Sequence, residues 1–360
     1  MRTTWLRSGT SIVALALAGA AGLGATAAAR QAQPDLIKVR VTPALVTILR
    51  VPNWVAASEG IYRRNGLDVE QCVPPNDVRD VKRILDVDVP MKHRCTDNAP
   101  SPFTIAGGLP TSFMSQFQSA VPPRPRTVIL ATVQNRTNYT LVARKDITAP
   151  EQLRGKRIGI TSDFNILGFQ ALMFARAMGW QVGRDIQLVP NPSGFIEGLE
   201  KGEFEAYIVG EGLPAWQAQQ AGYTPLLDFG QWKVPMASSS INANAEWLQN
   251  NRETARRFIK SMVDAIAVIK QDRQAAYRAM TEYYGITDPT MLEFFYTSWD
   301  FPRKPYPAVD GLKTAQVFYD GHPGVRTEAL RAAAIDSFVD DSFIRELDES
   351  GYIDRLYNNK

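Results

Sequence analysis

Thr161, Ser162, Asp163 and Asn165 stand between a short apolar run, Ile158-Gly159-Ile160, and a segment that repeats apolar residues every three or four positions: Ile166, Phe169, Met173, Ala177 and Trp180. That switch marks a buried strand leading into an amphipathic helix. The first turn of a helix exposes backbone N–H groups and carries about half a positive charge. Polar side chains placed there either cap the helix, worth about 1 kcal/mol, or face a ligand whose anionic group the helix end favours. One of the four must cap, and the rest can line a site, although Asp163 would repel an anion that it faced. Thr111 and Ser112 repeat the arrangement behind Leu109-Pro110. Asn53 and Trp54 sit at another strand-to-helix junction, where the indole either stacks on a planar ligand or packs in the core. Glu211, flanked by Gly210 and Gly212, can accept hydrogen bonds from an amine or aminopyrimidine, or be solvated. Arg136 can grip a carboxylate or sulfonate with two parallel bonds, or be an ordinary surface charge.

Catalytic patterns are missing. The chain has no Gly-x-Ser-x-Gly, no His-Glu-x-x-His and no glycine-rich phosphate loop. Its two histidines, His93 and His322, are not placed to complete a zinc site with Cys72 and Cys95. No catalytic residue, metal or cofactor is expected.

The elements that must position these residues follow a rhythm. From residue 151 to 223 the chain reads strand, helix, strand (185–189), helix (195–201, closed by Gly202), strand (205–209), helix (214–222). This is an α/β pattern, a parallel sheet with helices on its faces, and such sheets bind ligands beyond the carboxyl ends of their strands. Upstream, residues 36–41 alternate apolar and polar, 45–49 form a second strand candidate, 55–62 a helix and 67–70 a strand. Residues 72–102 read as an irregular loop pinned by the cysteines. Residues 128–133 and 139–143 are strands, and the polar piece between them can carry the chain from one domain to the next. Residues 232–242 are a return crossing. From Ala245 onward helices dominate, with Ala255, Phe258, Met262, Ile266 and Ile269 on one face.

A chain of 360 residues suits two domains. Residues 1–29 hold Arg2 and Arg7, no acid, an apolar stretch at 12–23 and small residues at 25, 27 and 29. They read as a cleaved secretory signal, because the apolar stretch is shorter than the ~20 residues of a membrane span. The remainder is close to neutral, which gives no case for nucleic acid or an anionic membrane. An exported chain, placed in a periplasm, allows Cys72 and Cys95 to form a disulfide; two free thiols are the alternative.

Three stretches carry a family resemblance: Val55-Ala56-Ala57-Ser58-Glu59-Gly60-Ile61-Tyr62-Arg63-Arg64-Asn65-Gly66-Leu67-Asp68-Val69-Glu70, Leu153-Arg154-Gly155-Lys156-Arg157-Ile158-Gly159-Ile160 and Leu199-Glu200-Lys201-Gly202-Glu203-Phe204-Glu205-Ala206-Tyr207. The chain resembles the solute-binding proteins of ABC importers that serve nitrate, taurine, alkanesulfonates and thiamine precursors. The resemblance implies a two-lobed periplasmic binding protein fold of type 2, with two crossover strands as hinge. One lobe would be residues 36–131 and 238–360, the other 132–237. It implies a monomeric receptor that captures a small organic molecule, planar or bearing an amine, sulfonate or carboxylate, and delivers it to an ABC permease and its ATPase. An enzyme on the same scaffold, of thiamine-pyrimidine or menaquinone-precursor type, and an exported ligand-sensing partner of a membrane kinase are the alternatives. Residues 72–102 depart from the group's pattern. The cysteine-rich motif and active-site histidine of the similar fungal pyrimidine-making enzymes have no counterpart.

Overall fold

The structure is a computed structural model that describes residues 35–43, 48–73, 75, 82, 88, 99–122, 124–136, 138–190, 194–210, 212–298 and 300–358. The chain divides into two units, Met1–Asp35 and Leu36–Lys360, and the second carries all the architecture below. The expected secretory signal lies outside the described residues, as do Glu211 and Cys95.

Among the described residues, ten strands form two five-stranded mixed sheets. The first is ordered β2-β1-β3-β10-β4 and the second β7-β6-β8-β5-β9. In the first, β1 (Ile37–Pro43) runs parallel to β2 (Leu67–Gln71) and β3 (Phe103–Gly107). Then β10 (Ser239–Asn244) lies antiparallel between β3 and β4 (Thr127–Thr132). In the second, β6 (Arg157–Ile160) runs parallel to β7 (Gln187–Pro190) and β8 (Ala206–Val209). These are the strands whose alternation with helices predicts parallel pairing. The other two, β5 (Thr140–Ala143) and β9 (Pro225–Asp228), are not part of that alternation, and β5 pairs antiparallel with both β8 and β9.

The chain leaves the first sheet after β4, builds the second, and returns as β10. The two crossings run side by side: Met236 N–H donates to the Asn135 carbonyl at 2.9 Å and Ser238 N–H to the Gln134 carbonyl at 3.2 Å. The first sheet's core is completed by the helix Arg252–Gln271, whose buried stripe holds Ala255, Phe258, Met262, Ile266 and Ile269. Phe258 stacks on Phe103 of β3 at 4.2 Å between centroids.

Three local expectations are corrected. The strand candidate at 45–49 is, where described, a 3-10 turn over Ile48–Arg50. The helix after it begins at Val51 rather than Val55 (Val51–Ser58), because Pro52 suits a first helical turn, where a missing N–H costs nothing. A regular helix through 113–117 is likewise replaced by a wide turn at Leu109–Phe113 and a 3-10 turn at Met114–Gln116.

Asp185 closes the loop ahead of β7. Its carboxylate accepts from Arg184 at 2.7 Å, from the Gln181 backbone N–H at 2.9 Å and from Arg154 at 3.1 Å. The Arg184 bond first, then the other donors, hold the carboxyl down at about 2. A carboxyl depressed in the folded state stabilises it above the ordinary range near pH 4, and that contribution fades as pH falls toward 2. Wild-type protein should therefore lose stability across this window faster than Asp185→Asn, with acid unfolding followed by circular dichroism; superimposable acid titrations would refute it.

Candidate functional site

A cleft of about 190 Å³ opens where strands of both sheets end. From the first sheet's side it is lined by Leu49, Arg50, Gly107, Pro110, Ser238 and Ser239. From the second come Tyr139, Thr161, Asn165, Ile166, Leu167, Phe195, Tyr207, Gly210 and Pro214. Gly107 ends β3, Thr161 follows β6 and Gly210 follows β8, so the cleft lies at the carboxyl ends of strands, as the sheet rule requires.

Asn165 both caps and lines. Its Oδ1 accepts from the N–H groups of Leu167 at 2.9 Å and Gly168 at 3.2 Å, at the start of the helix Ile166–Ala177, while its Nδ2 donates to the Thr161 hydroxyl. Gly168 permits the loop to fold this tightly: a Cβ there would fall 2.3 Å from the Asp163 carbonyl oxygen. Asn165→Ala should lower stability by about 1 kcal/mol, read from urea unfolding. A change below ~0.3 kcal/mol would mean that the cap carries nothing.

The other expected site residues scatter. Ser162 is half-buried, its hydroxyl accepting locally from the Phe164 N–H at 3.2 Å. Asp163 is held through its backbone, its carbonyl accepting from the Tyr319 hydroxyl at 2.7 Å. Neither lines the cleft. Asn53 is buried in a network of its own, accepting from the Tyr62 hydroxyl at 2.6 Å and donating to Gln71 at 2.5 Å. Trp54 is 1 % exposed and stacks on Tyr283, so of its two readings the core one applies. The reason is the earlier helix start, which moves both residues from a junction to the helix's inner face. Ser112 is buried, paired with the Thr127 hydroxyl at 2.7 Å and donating to Asn242 at 2.8 Å, and the Thr111 carbonyl accepts from Ser115 at 2.7 Å. Arg136 is exposed on the first crossing, opposite Pro235. Glu211 is outside the described residues, but its neighbour Gly210 lines the cleft. Cys72 is disulfide-bonded, and the only other cysteine of the sequence is Cys95.

Sequence reasoning missed the cleft's cation. Arg50 is 4 % exposed and sits at the N-terminal end of the helix Val51–Ser58. Its Nη1 donates to the Ser239 hydroxyl, which donates to the Leu49 carbonyl at 3.3 Å. Burial pushes the neighbouring Tyr284 phenol well above its ordinary range, while the charge of Arg50 pulls the other way. Also missed were the aromatic walls. Phe195 and Tyr207 stack with centroids 5.4 Å apart. The only available hint was Tyr207 in the apolar strand 206–209. Among the described residues no group of three or more His, Cys, Asp or Glu could hold a metal ion, and no helix is long and apolar enough to cross a membrane.

Two α/β sheets joined by paired crossings, with a cleft at their strand ends, are the fold of the periplasmic binding proteins. Residues 117–276 match the model of the family described as NMT1/THI5 like. No curated protein matches the sequence. Among solved structures the chain is similar to the periplasmic nitrate-binding protein NrtA of Synechocystis PCC 6803, at 15 % identity and TM-score 0.64, over 89 % of this chain and 90 % of that one. It is similar to the alkanesulfonate-binding protein SsuA of Xanthomonas axonopodis pv. citri bound to MOPS, at 12 % identity and TM-score 0.58, over 86 % and 99 %. The desulfurization enzyme DszB is also similar, at 16 % identity and TM-score 0.55, over 87 % and 99 %. Identities this low establish a shared fold.

Proposed function

We propose that the chain is an exported solute-binding receptor of an ABC importer. It captures one small organic molecule between two lobes and delivers it to a membrane permease. The observation that carries this reading is the cleft itself, lined from both sheets at the carboxyl ends of their strands. Similarity to two periplasmic binding proteins supports it. The crossings at 134–136 and 235–238 are the proposed hinge, with residues 36–131 and 238–360 forming one lobe and 132–237 the other. Closure about such a hinge would wrap the solute on both sides. A periplasmic location, a cleaved segment at 1–29 and a monomeric state belong to the same reading.

The test is native mass spectrometry of the purified protein, followed by small-angle scattering with and without the compound it carries. A stoichiometric small molecule, released unchanged, with a smaller radius of gyration when bound, is the expected result. Absence of both a bound compound and a change in radius would refute the receptor reading. Similarity to DszB gives the enzyme alternative its one foothold, and chemical conversion of the bound compound on incubation would decide for it.

A further inference from the structure

The two proposed lobes are joined in two unlike ways. In one place they share a core: Leu109 and Phe113 of the first lobe pack in a single buried cluster with Leu141, Ile160 and Phe169 of the second. The helix Val309–Phe318 and Tyr319 belong to that cluster. In another place each lobe keeps a core of its own, with Phe295 in the first lobe's cluster and Ala218 in the second's. Trp216 crosses between these two. It stands on the helix Leu213–Gln220 of the second lobe, yet it packs against the first lobe's core. Its indole meets Phe294, on the helix Pro289–Ser298, edge-on at 5.2 Å between centroids. A cavity of about 380 Å³ lies beside the pair, with Asn138, Thr140 and Asp228 from the second lobe and Phe294 and Ser298 from the first. Gly210 lines both this cavity and the cleft, so a gap opened here leads into the cleft.

We propose that Trp216 is a latch: it seats against Phe294 to hold the cleft shut, and the cleft opens by parting this pair while the shared core at Tyr319 stays closed. This rests on the receptor reading and adds the place where its cleft opens. Parting a core that two lobes share exposes all of its apolar surface to water, a large penalty. One edge-on aromatic pair shifts a balance by roughly two- to tenfold. That is enough to favour the shut form and little enough to let an open form be populated. Trp216 is half-buried and stands outside the second lobe's own core, so its loss leaves that core intact.

The test is hydrogen exchange read by mass spectrometry on the full-length protein, with small-angle scattering alongside, in the wild type, Trp216→Ala, Phe294→Ala and the double variant. Each single variant should exchange roughly two- to tenfold faster in both 213–220 and 289–298, leave 309–318 unchanged, and show a larger radius of gyration. The double variant should match the singles, because either substitution already breaks the pair. Trp216→Phe, which keeps a ring, should recover most of the wild-type protection. Faster exchange confined to the substituted helix, with the radius unchanged, overturns the latch, since the side chain then packs only locally. Equal acceleration in 309–318 overturns it as well, since the shared core would then part too. Whether the wild type carries a compound decides the receptor reading separately, because neither residue lines the cleft. Should Trp216→Ala fail to fold, Phe294→Ala on the other lobe decides.

Discussion

Trp54→Ala should cost about 3–5 kcal/mol of stability, the loss typical of a large aromatic side chain removed from a core. Trp54 is 1 % exposed in the helix Val51–Ser58. Its indole lies parallel to the Tyr283 ring at 6.2 Å and tilted against Tyr284 at 5.4 Å, so it fastens this helix to Arg273–Tyr284. Removing the indole strips both tyrosines of a partner and leaves a void that a backbone of packed helices cannot close. Trp54→Phe, which keeps a ring in place, should cost less than half as much. The measurement is the urea midpoint at constant slope. A Trp54→Ala loss under 1 kcal/mol would refute the core placement. It would also reinstate an indole turned toward a ligand, in which case solute should quench the fluorescence of this residue.

Trp54 also shows where sequence reasoning stops. An indole two residues after a proline fits a core and a binding face equally well, and only the register of the helix decides between them. The helix starts one turn before the expected Val55, because the apolar run at 45–49 has the composition of a strand, while Pro52 takes a first-turn position. The second sheet was easier. Ile158-Gly159-Ile160, a capped stripe, then two more strands is a local pattern, and local patterns are what a sequence displays. The antiparallel insertion of β10 between β3 and β4 is not local. It joins Ile241 to Ile105 and Ala131, residues far apart along the chain. No periodicity announces it.

The site divides in the same way. Thr161 and Asn165 were legible because a strand end followed by a helix start is both a local signal and a rule about where ligands bind. Ser112 carried the same signal but turned inward, its hydroxyl claimed by Asn242, 130 residues away. Arg50 was illegible for the opposite reason. Arginines are almost always solvated, and this buried one donates to Ser239 on the return crossing, 189 residues away.

Tyr319→Ala should cost about 3–5 kcal/mol and should also weaken binding of the small molecule that the purified protein carries, although Tyr319 does not line the cleft. The helix Val309–Phe318 lies so close to the return crossing that a Cβ at Gly311 would fall 2.7 Å from the Ala237 nitrogen. At its end Phe318 sets its edge on Phe169 at 5.4 Å, and the fully buried Tyr319 reaches the Asp163 carbonyl at 2.7 Å. One helix thus grips the crossing that joins the sheets and the loop from which Thr161 and Asn165 line the cleft. Tyr319→Phe isolates the loop bond. It removes only the hydroxyl, leaves the Asp163 carbonyl short of a donor, and should cost about 1–2 kcal/mol. Burial pushes the Tyr319 phenol far above its ordinary range, so the group stays a neutral donor and the wild-type minus Tyr319→Phe difference should be flat from pH 6 to pH 9. A difference that shrinks toward pH 9 would mean that the phenol ionises and the bond is not the one described. A Tyr319→Ala protein that is destabilised but binds that molecule with unchanged affinity would show that the helix supports the fold without setting the loop.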